Sequence, residues 1–391
     1  MDPIVITGAR RTPMGAFQGD LSGMVAPDLG AVAIRAALGD LSPEQVDEVL
    51  MGCVLPAGLG QAPARQAALA AGLPLSSGAT TINKMCGSGM KAAMLAHDLI
   101  AAGSAGIVVA GGMESMSNAP YLLPKARGGM RMGHDRVMDH MFLDGLEDAY
   151  DRGRLMGTFA EDCAQSHGFG REAQDDYALA SLSRAQAAIA TGCFADEIAP
   201  VTITGRKGQT TVDTDEMPGK ARPDKIPHLK PAFREGGTVT AANSSSISDG
   251  AAVLVIMRQS RAERLGLRPL ARITGHATHA DKPGLFPTAP IGAMRKLLDR
   301  TGTKLTDYEM FEVNEAFAVV AMIAMRELGL PHDVTNIHGG ACALGHPIGA
   351  SGARIIVTLL GAMRAQGAMR GAASICIGGG EATAIALERL T

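Results

Sequence analysis

The 391-residue sequence predicts an α/β protein of two similar halves built on buried sheets, and three observations carry that reading. Short Val- and Ile-rich runs alternate with longer Ala-rich stretches, as expected of strands covered on both faces by helices. Hydrophobic residues make up 46% of the chain and charged residues 19%, enough apolar side chain for a large core. A glycine-marked segment also recurs. Gly87-Ser88-Gly89-Met90-Lys91 opens a helix and precedes Ile107–Glu114, while Ala350-Ser351-Gly352-Ala353-Arg354 opens another and precedes Ser374–Glu381. Ser88 to Ser351 is an offset of 263 residues and Gly111 to Gly378 one of 267, so each half should set a helix N-terminus beside a strand ending in Gly-Gly. The length fits two or three packed units at roughly 100–200 residues each.

In chain order, Ile4–Thr7 reads as a strand, Asp28–Leu38 as a helix, Val49–Val54 as a strand, Gln61–Ala71 as a helix and Thr80–Ile82 as a strand. The alternation then stops. From about Ser117 to Ile247 come Tyr121-Leu122-Leu123-Pro124, a Met- and His-rich loop at Met130–Met141, a helical stretch Arg171–Thr191 and charged, proline-containing linker that includes Lys207 and Asp213–Lys230. This reads as an insertion. Strand character resumes at Gly250–Met257, and Leu270–Ile273 opens the next unit. The expected division is 1–118 with 248–268 as the first half, 119–247 as the insertion and 269–391 as the second half.

Composition removes several function classes. A net charge of −3 gives no general reason to bind nucleic acid. The longest apolar runs, such as Phe317–Met325, are about half of the ~18 residues a membrane helix needs, so no membrane association is expected. The chain passes from Met1-Asp2 into its first strand without a leader, and Glu388–Thr391 is no sorting tripeptide, so a cytoplasmic protein is expected. Six cysteines without CxxC spacing signal neither zinc nor disulfides. The 49 glycines imply close backbone approach.

Four positions stand out chemically. Cys86 follows the strand-like Thr80–Ile82 and precedes Gly87-Ser88-Gly89, which places it at a helix N-terminus, where dipole and free N–H groups favour a thiolate and can bind an oxyanion. His346 lies in the glycine-dense loop Gly339–Gly352, where a neutral imidazole could take a thiol proton. Cys376 ends an apolar strand before Gly378-Gly379-Gly380, whose N–H groups could face a cleft. Asn314, after Met310–Val313, reads as a helix N-cap, with or without a bound water. Cys53, Cys163, Cys193 and Cys342 read as small buried hydrophobes. His134, His140, His276, His279 and His338 lack supporting ligands in the sequence. No phosphate-binding GxxxxGK[ST] occurs, and Gly87-Ser88-Gly89 lacks the third glycine of a dinucleotide fingerprint.

Taken together, Asn83–Met90, Val109–Ser117, Asn314–Ala318, Gly345–Arg354 and Cys376–Gly380 resemble the active-site blocks of the thiolases, in particular the acetoacetyl-CoA type, over essentially the whole chain. The resemblance implies two βαβαβαββ halves in a five-layer α-β-α-β-α sandwich with an inserted loop domain. It implies a reversible Claisen condensation of two acetyl-CoA to acetoacetyl-CoA and CoA through an acetyl-Cys86 intermediate, with His346 as activating base and Cys376 as the base that forms the enolate. His346 with a water on Asn314 would form one oxyanion hole, and the N–H groups of Cys86 and Gly378 the other. No cofactor and no metal are expected beyond the CoA thioester substrates.

Also by resemblance, Ser245 would contact pantetheine, Phe233 and Met156 would line its tunnel, Phe286, Ala316 and Phe317 would be further substrate or CoA contacts, and Lys220, Arg222 and Lys225 would offer charge near the nucleotide and its phosphates. A homotetramer, a dimer of dimers with Met130–Met141 at a contact, is the implied assembly. Leu155 stands where the bacterial biosynthetic type has His, and Ser244 and Ser246 where Ala and Gly are usual. Leu182 replaces the Tyr through which some relatives bind potassium, which argues against an activating potassium ion. The alternatives are a broad-chain degradative 3-ketoacyl-CoA thiolase, a decarboxylating ketoacyl synthase, which Cys376 argues against, and a non-catalytic acyl-CoA or lipid carrier.

Overall fold

A computed structural model describes residues 2–205 and 208–390; Lys207 and Thr391 lie outside the described residues. The first half contains β1 (Ile4–Arg11), β2 (Gly15–Ala16), α1 (Ala26–Leu38), β3 (Glu48–Gly52), α2 (Pro63–Ala70), β4 (Gly78–Ile82), α3 (Ser88–Ala102) and β5 (Ile107–Ser115). The intervening segment holds β6 (Tyr121–Leu122), β7 (Met138–Asp139), α4 (Met156–Ser166), α5 (Arg171–Ala190), β8 (Val201–Gly205), β9 (Gly208–Val212) and α6 (Glu216–Lys220). The chain then returns to β10 (Ser248–Arg258) and α7 (Gln259–Arg264). The second half follows as β11 (Ala271–Ala280), α8 (Ala289–Thr301), β12 (Met310–Val313), α9 (Ala318–Leu328), α10 (Ala341–Leu344), α11 (Ile348–Gln366), β13 (Arg370–Ile377) and β14 (Glu381–Arg389).

The strand order β12-β13-β14-β11-β1-β10-β5-β3-β4 shows the duplication directly. Read outward from the junction, one half runs β1-β10-β5-β3-β4 and the other β11-β14-β13-β12, and Thr335 bridges Phe311 in parallel where β4 pairs with β3. The half-sheets meet through two residue pairs, Val5 with Arg272 and Ile6 with Ala271. Successive side chains on each strand point to opposite layers. Ile4, Ile6, Val108, Ala110, Leu254 and Ile256 face inward with Ile375, Ile385 and Leu387, packing around α3 and α11. Val5, Ile107, Val109, Val253 and Val255 face outward under α1 and α2, and Ala372, Ala384 and Ala386 under α8 and α9. Both faces of each half-sheet are therefore covered, and the five-layer arrangement follows.

The central layer depends on glycine contacts. A Cβ on Gly89 of α3 would lie 2.7 Å from the Ala353 amide nitrogen, and one on Gly352 of α11 would lie 2.4 Å from that of Met90. The two recurring glycines thus face each other across one helix crossing. A Cβ on Gly112 would lie 2.0 Å from Gly349 O, and one on Gly52 2.6 Å from the same oxygen. The N-terminus of α11 sits directly on the first-half sheet.

Three expectations change. Gly111 and Gly112 lie inside β5, not at its end, because Gly112 admits α11 and a Cβ on Gly111 would meet Ala252 O at 2.1 Å. The corresponding Gly378–Gly380 form the tight turn from β13 to β14, with φ +94° at Gly379 and +87° at Gly380. The connection from β5 to its neighbour β10 is instead residues 116–247, so the insertion occupies the position of that turn. Finally, α11 is long and apolar enough to span a membrane by length and composition, contrary to the reading of uninterrupted runs, but nearly all of it is buried between the sheets.

Buried charge ties the insertion to the scaffold. The Arg11 guanidinium, fully buried, donates to Glu197 Oε1 at 2.5 Å and to both Asp215 oxygens at 2.7 and 2.8 Å, while Asp215 also accepts from the Met14 N–H. Removing one partner of such a group would strand the others without water.

Gly352→Ala is expected to destabilise the protein by about 3 kcal/mol or more through overpacking. Gly23→Ala, where nothing lies within 4 Å, should stay within about 0.5 kcal/mol of the parent. Urea unfolding of both variants checks this.

Candidate active site

Two turns converge below the helix crossing, one leading from β4 into α3 and the other from α10 into α11. In the first, the Asn83 side chain accepts the Met85 N–H at 3.0 Å and Met85 adopts φ +46°, a left-handed conformation uncommon for a bulky residue. Ser88 Oγ accepts the Lys84 N–H at 2.8 Å and donates to Met85 O at 2.6 Å. Lys84 forms an ion pair with Glu381 of the second half. A Cβ on Gly87 would lie 2.4 Å from Ile377 Cδ1, so glycine there lets the turn close onto β13. Cys86 is held just before α3, half-buried at the cavity surface.

In the second, the His346 N–H donates to Ser246 O at 3.0 Å, and Pro347 precedes the first turn of α11. His346 is only 6% exposed, so its glycine-dense loop is packed into the fold. Its Nδ1 lies 2.5 Å from Ser351 Oγ, and that hydroxyl donates its single proton to Pro347 O at 2.9 Å. The hydroxyl therefore accepts from Nδ1–H, which leaves Nε2 as the lone-pair nitrogen. Among the described residues His346 Nε2 has no hydrogen-bond partner.

Cys86, His346, Cys376 and Gly378 line one cavity of about 470 Å³. Met156, Phe233, Ser245, Phe286, Ala316 and Phe317 line it too, so ten of the residues singled out from the sequence come together. Ser245 Oγ donates to Ala316 O at 2.9 Å. The Phe233 and Phe317 rings meet edge to face with centroids 5.9 Å apart, and Phe286 adds a third aromatic wall 6.4 Å from Phe317. Such a mostly apolar cleft with a few convergent polar groups suits a small organic ligand.

Other residues are placed differently. Asn314 is not an N-cap: α9 begins at Ala318 after Phe317, and Asn314 directly follows β12. It lies outside the cavity lining, 1% exposed; its Oδ1 accepts from Arg354 Nη2 at 3.4 Å and its Nδ2 has no partner among the described residues. Lys220, Arg222 and Lys225 also lie outside the lining. Lys220 pairs with Glu216 and Arg222 with Asp224 at 3.2 Å, because acidic neighbours on the same surface segment capture them.

The electrostatics also correct the sequence reading. Burial pushes the Cys86 thiol up to about 11, outweighing the N–H groups of Gly378 and of Cys86 itself that point at the sulfur. The helix N-terminus therefore does not produce a resting thiolate. Burial, and then the Cys86 sulfur, hold Cys376 well above the ordinary thiol value. Burial, and then the Arg354 guanidinium, push His346 down to about 3. The pair is thiol and neutral imidazole, with the imidazole able to receive a proton.

Sequence reasoning missed two supports. Glu114 of β5 accepts N–H groups from Val54 at 2.9 Å, Leu55 at 3.1 Å and Gly349 at 2.9 Å, and burial raises its carboxyl to about 7. It fixes the first turn of α11 and hence the His346 loop. Its position in the repeat, opposite Glu381, was the available signal. Ser351 was visible only as a helix opening, and its role emerges from the imidazole contact.

Residues 4–260 match the thiolase N-terminal domain and residues 267–389 the thiolase C-terminal domain. The chain belongs to the thiolase family. Full-length relatives include acetyl-CoA acetyltransferase of Cupriavidus necator, 49% identical with both chains fully covered, and acetyl-CoA acetyltransferase 1 of Arabidopsis thaliana, 51% identical over 98% of this chain and 94% of that one. The thiolase fold is that of the Bacillus anthracis acetyl-CoA acetyltransferase crystal structure, with TM-score 0.97, 39% identity and coverage of 100% and 99%. It is also that of the Ascaris suum Acat5 thiolase in complex with coenzyme A, with TM-score 0.94, 39% identity and coverage of 99% and 100%.

Because His346 is buried neutral, its contribution to stability is intact above pH 6.5 and is lost progressively as pH falls toward about 3, while the unfolded chain binds the proton. In His346→Asn the slope of unfolding free energy between pH 6 and 4 should fall by about 1.4 kcal/mol per pH unit. Denaturant titrations across that range measure it.

Proposed function

We propose that this thiolase is an acetyl-CoA C-acetyltransferase that joins two acetyl-CoA into acetoacetyl-CoA and CoA, reversibly, through an acetyl-Cys86 intermediate. One observation carries the reading: two thiols and an unpartnered imidazole nitrogen open into the same apolar cavity, with two backbone N–H groups aimed at one sulfur. The printed names of the relatives and the coenzyme A complex of the Ascaris suum thiolase support it.

His346 Nε2 takes the Cys86 proton as the sulfur attacks the thioester carbonyl, so thiolate forms only with its acceptor in place. The N–H groups of Cys86 and Gly378 receive the carbonyl oxygen. The departing CoA sulfur takes the Cys376 proton, which leaves Cys376 as a thiolate. A second acetyl-CoA then gives an α-proton to Cys376, whose elevated proton affinity suits this weak carbon acid. His346 Nε2 and a water on the orphaned Asn314 Nδ2 hold the enolate oxygen. The enolate carbon attacks acetyl-Cys86, acetoacetyl-CoA leaves, and the imidazolium returns its proton to Cys86. Every step is carried by side chains and backbone of this chain.

Residues 119–247, with Ser245, Met156 and Phe233, form the CoA-binding part of this reading; Lys225 offers charge to the phosphates, and Lys220 and Arg222 meet them only by exchanging their carboxylate partners. The exposed Tyr121, Leu123, Met130, Met132 and Val137 around β6 and β7 support the homotetramer contact. A cytoplasmic role in lipid metabolism completes the proposal.

Cys86→Ala should abolish both acetyl transfer to the enzyme and condensation. Cys376→Ala should retain labelling by radioactive acetyl-CoA, because the CoA sulfur can take the imidazolium proton, but lose condensation by about 10³-fold. Full condensation in Cys376→Ala would remove it as the base.

Chain length separates this reading from the broad degradative one. Phe233, Phe286 and Phe317 narrow the cavity, so CoA-dependent cleavage of a C4, 2-methyl-C4, C6 and C8 3-ketoacyl-CoA panel should be dominated by C4. Comparable rates at C8 would assign the degradative type.

A further inference from the structure

Outside the active site, the fold brings together three side chains that the sequence keeps far apart. His97 and Asp98 lie in the last turns of α3, and His276 lies on β11 of the other half. His97 Nδ1 is 3.2 Å and His276 Nε2 2.9 Å from the same Asp98 Oδ1, and the three donor atoms all lie within 4.8 Å of one another. The imidazole rings meet edge to face with centroids 5.1 Å apart, so neither blocks the other's approach to a common centre. The His276 side chain is 13% exposed and that of Asp98 53%, which gives a site anchored on the inside and open to solvent on one side.

We propose that His97, Asp98 and His276 bind a divalent transition-metal ion, zinc by ligand type, as a staple between α3 and β11. A tetrahedral ion about 2.0 Å from its N and O ligands holds those ligands about 3.3 Å apart, within a few tenths of the two measured separations. Two imidazoles and one carboxylate suit zinc and its neighbours better than calcium or magnesium, and the exposed side leaves a position for water. The single Asp98 carboxylate oxygen now faces two imidazole nitrogens, so a cation would take the place of the protons they share. Lys91 and the Arg300 guanidinium, which donates to His276 O at 3.1 Å, are the cations nearest His276 and set an upper limit on affinity. The ion would link the helix that carries Cys86 at its other end to the second half, so binding stabilises the packing of the halves and takes no part in the reaction.

The test is titration of the metal-free full-length protein with zinc, and with cobalt as a spectroscopic probe. One equivalent should bind in the micromolar range and raise the melting temperature. The cobalt form should show ligand-field bands of nitrogen and oxygen ligands without thiolate charge transfer, which separates the site from the cysteines. His97→Ala and His276→Ala should each weaken binding by about 100-fold or more, and Asp98→Asn, which keeps the shape of the cluster if a histidine variant folds poorly, by at least about 10-fold. Condensation by metal-free enzyme should be unchanged in all three. Absence of stoichiometric binding, thiolate charge transfer in the cobalt form, or affinity unchanged by the substitutions would overturn the proposal.

Discussion

The structure depends on one close approach, that of α3 and α11 at Gly89 and Gly352. Helices normally pack 8–10 Å apart, with side chains filling the gap. Here each glycine receives the backbone of the other helix, and Gly52 and Gly112 let the start of α11 rest on the first-half sheet. The two N-termini are thereby brought under one roof. Cys86 precedes one helix and His346 the other, so the pairing of thiol and imidazole in one cavity follows from the crossing. A methyl group at either glycine would separate the helices and open the space between thiol and imidazole together.

The same close packing decides the electrostatics. A helix N-terminus contributes up to about 1 kcal/mol to a nearby anion at an exposed site. Taking a thiolate out of water costs more, and the upward shift of Cys86 shows which effect wins. Burial also lowers His346, so thiol and imidazole are both uncharged at rest and neither has to be desolvated as an ion. In the proposed reaction charge forms only as the carbonyl arrives, where the N–H groups of Cys86 and Gly378 can receive it. Glu114 and Ser351 make this possible at a distance from the substrate, one by fixing the first turn of α11 and the other by fixing the imidazole tautomer.

Much of this was legible in the sequence, for identifiable reasons. Strands buried on both faces read as Val–Ile runs, and the glycine repeat marked the helix crossing, since a position that admits only glycine leaves a trace in any sequence. Cys86, His346 and Cys376 each stood in a local pattern that constrains backbone. Contacts made across the fold were not legible. Asn314 resembled an N-cap because a helix follows closely, but β12 and α9 are separated by an extended turn. Lys220 and Arg222 looked like free cations although their carboxylate partners are local, Glu216 four residues before Lys220 and Asp224 two after Arg222, and for Lys220 the i,i+4 spacing was the available signal. The position of Gly111-Gly112 within β5 was hidden because glycine ends strands more often than it sits inside them, and only the close approach of β10 to Gly111 and of α11 to Gly112 explains it.

The two halves share one strand order, yet differ at the connection before the last strand of each, and this difference turns a symmetric scaffold into an asymmetric site. In the second half Gly378–Gly380 close the connection at once, leaving the Gly378 N–H at the Cys86 sulfur. In the first half the same connection is expanded into residues 116–247, which supply Phe142, Met156, Phe233 and Ser245 to the cavity wall. One connection provides a fixed donor and the other a binding wall. Neither half alone contains both, so the fold needs the duplication and its local divergence at the same topological point. Arg11, buried between Glu197 and Asp215, holds the expanded connection against β1.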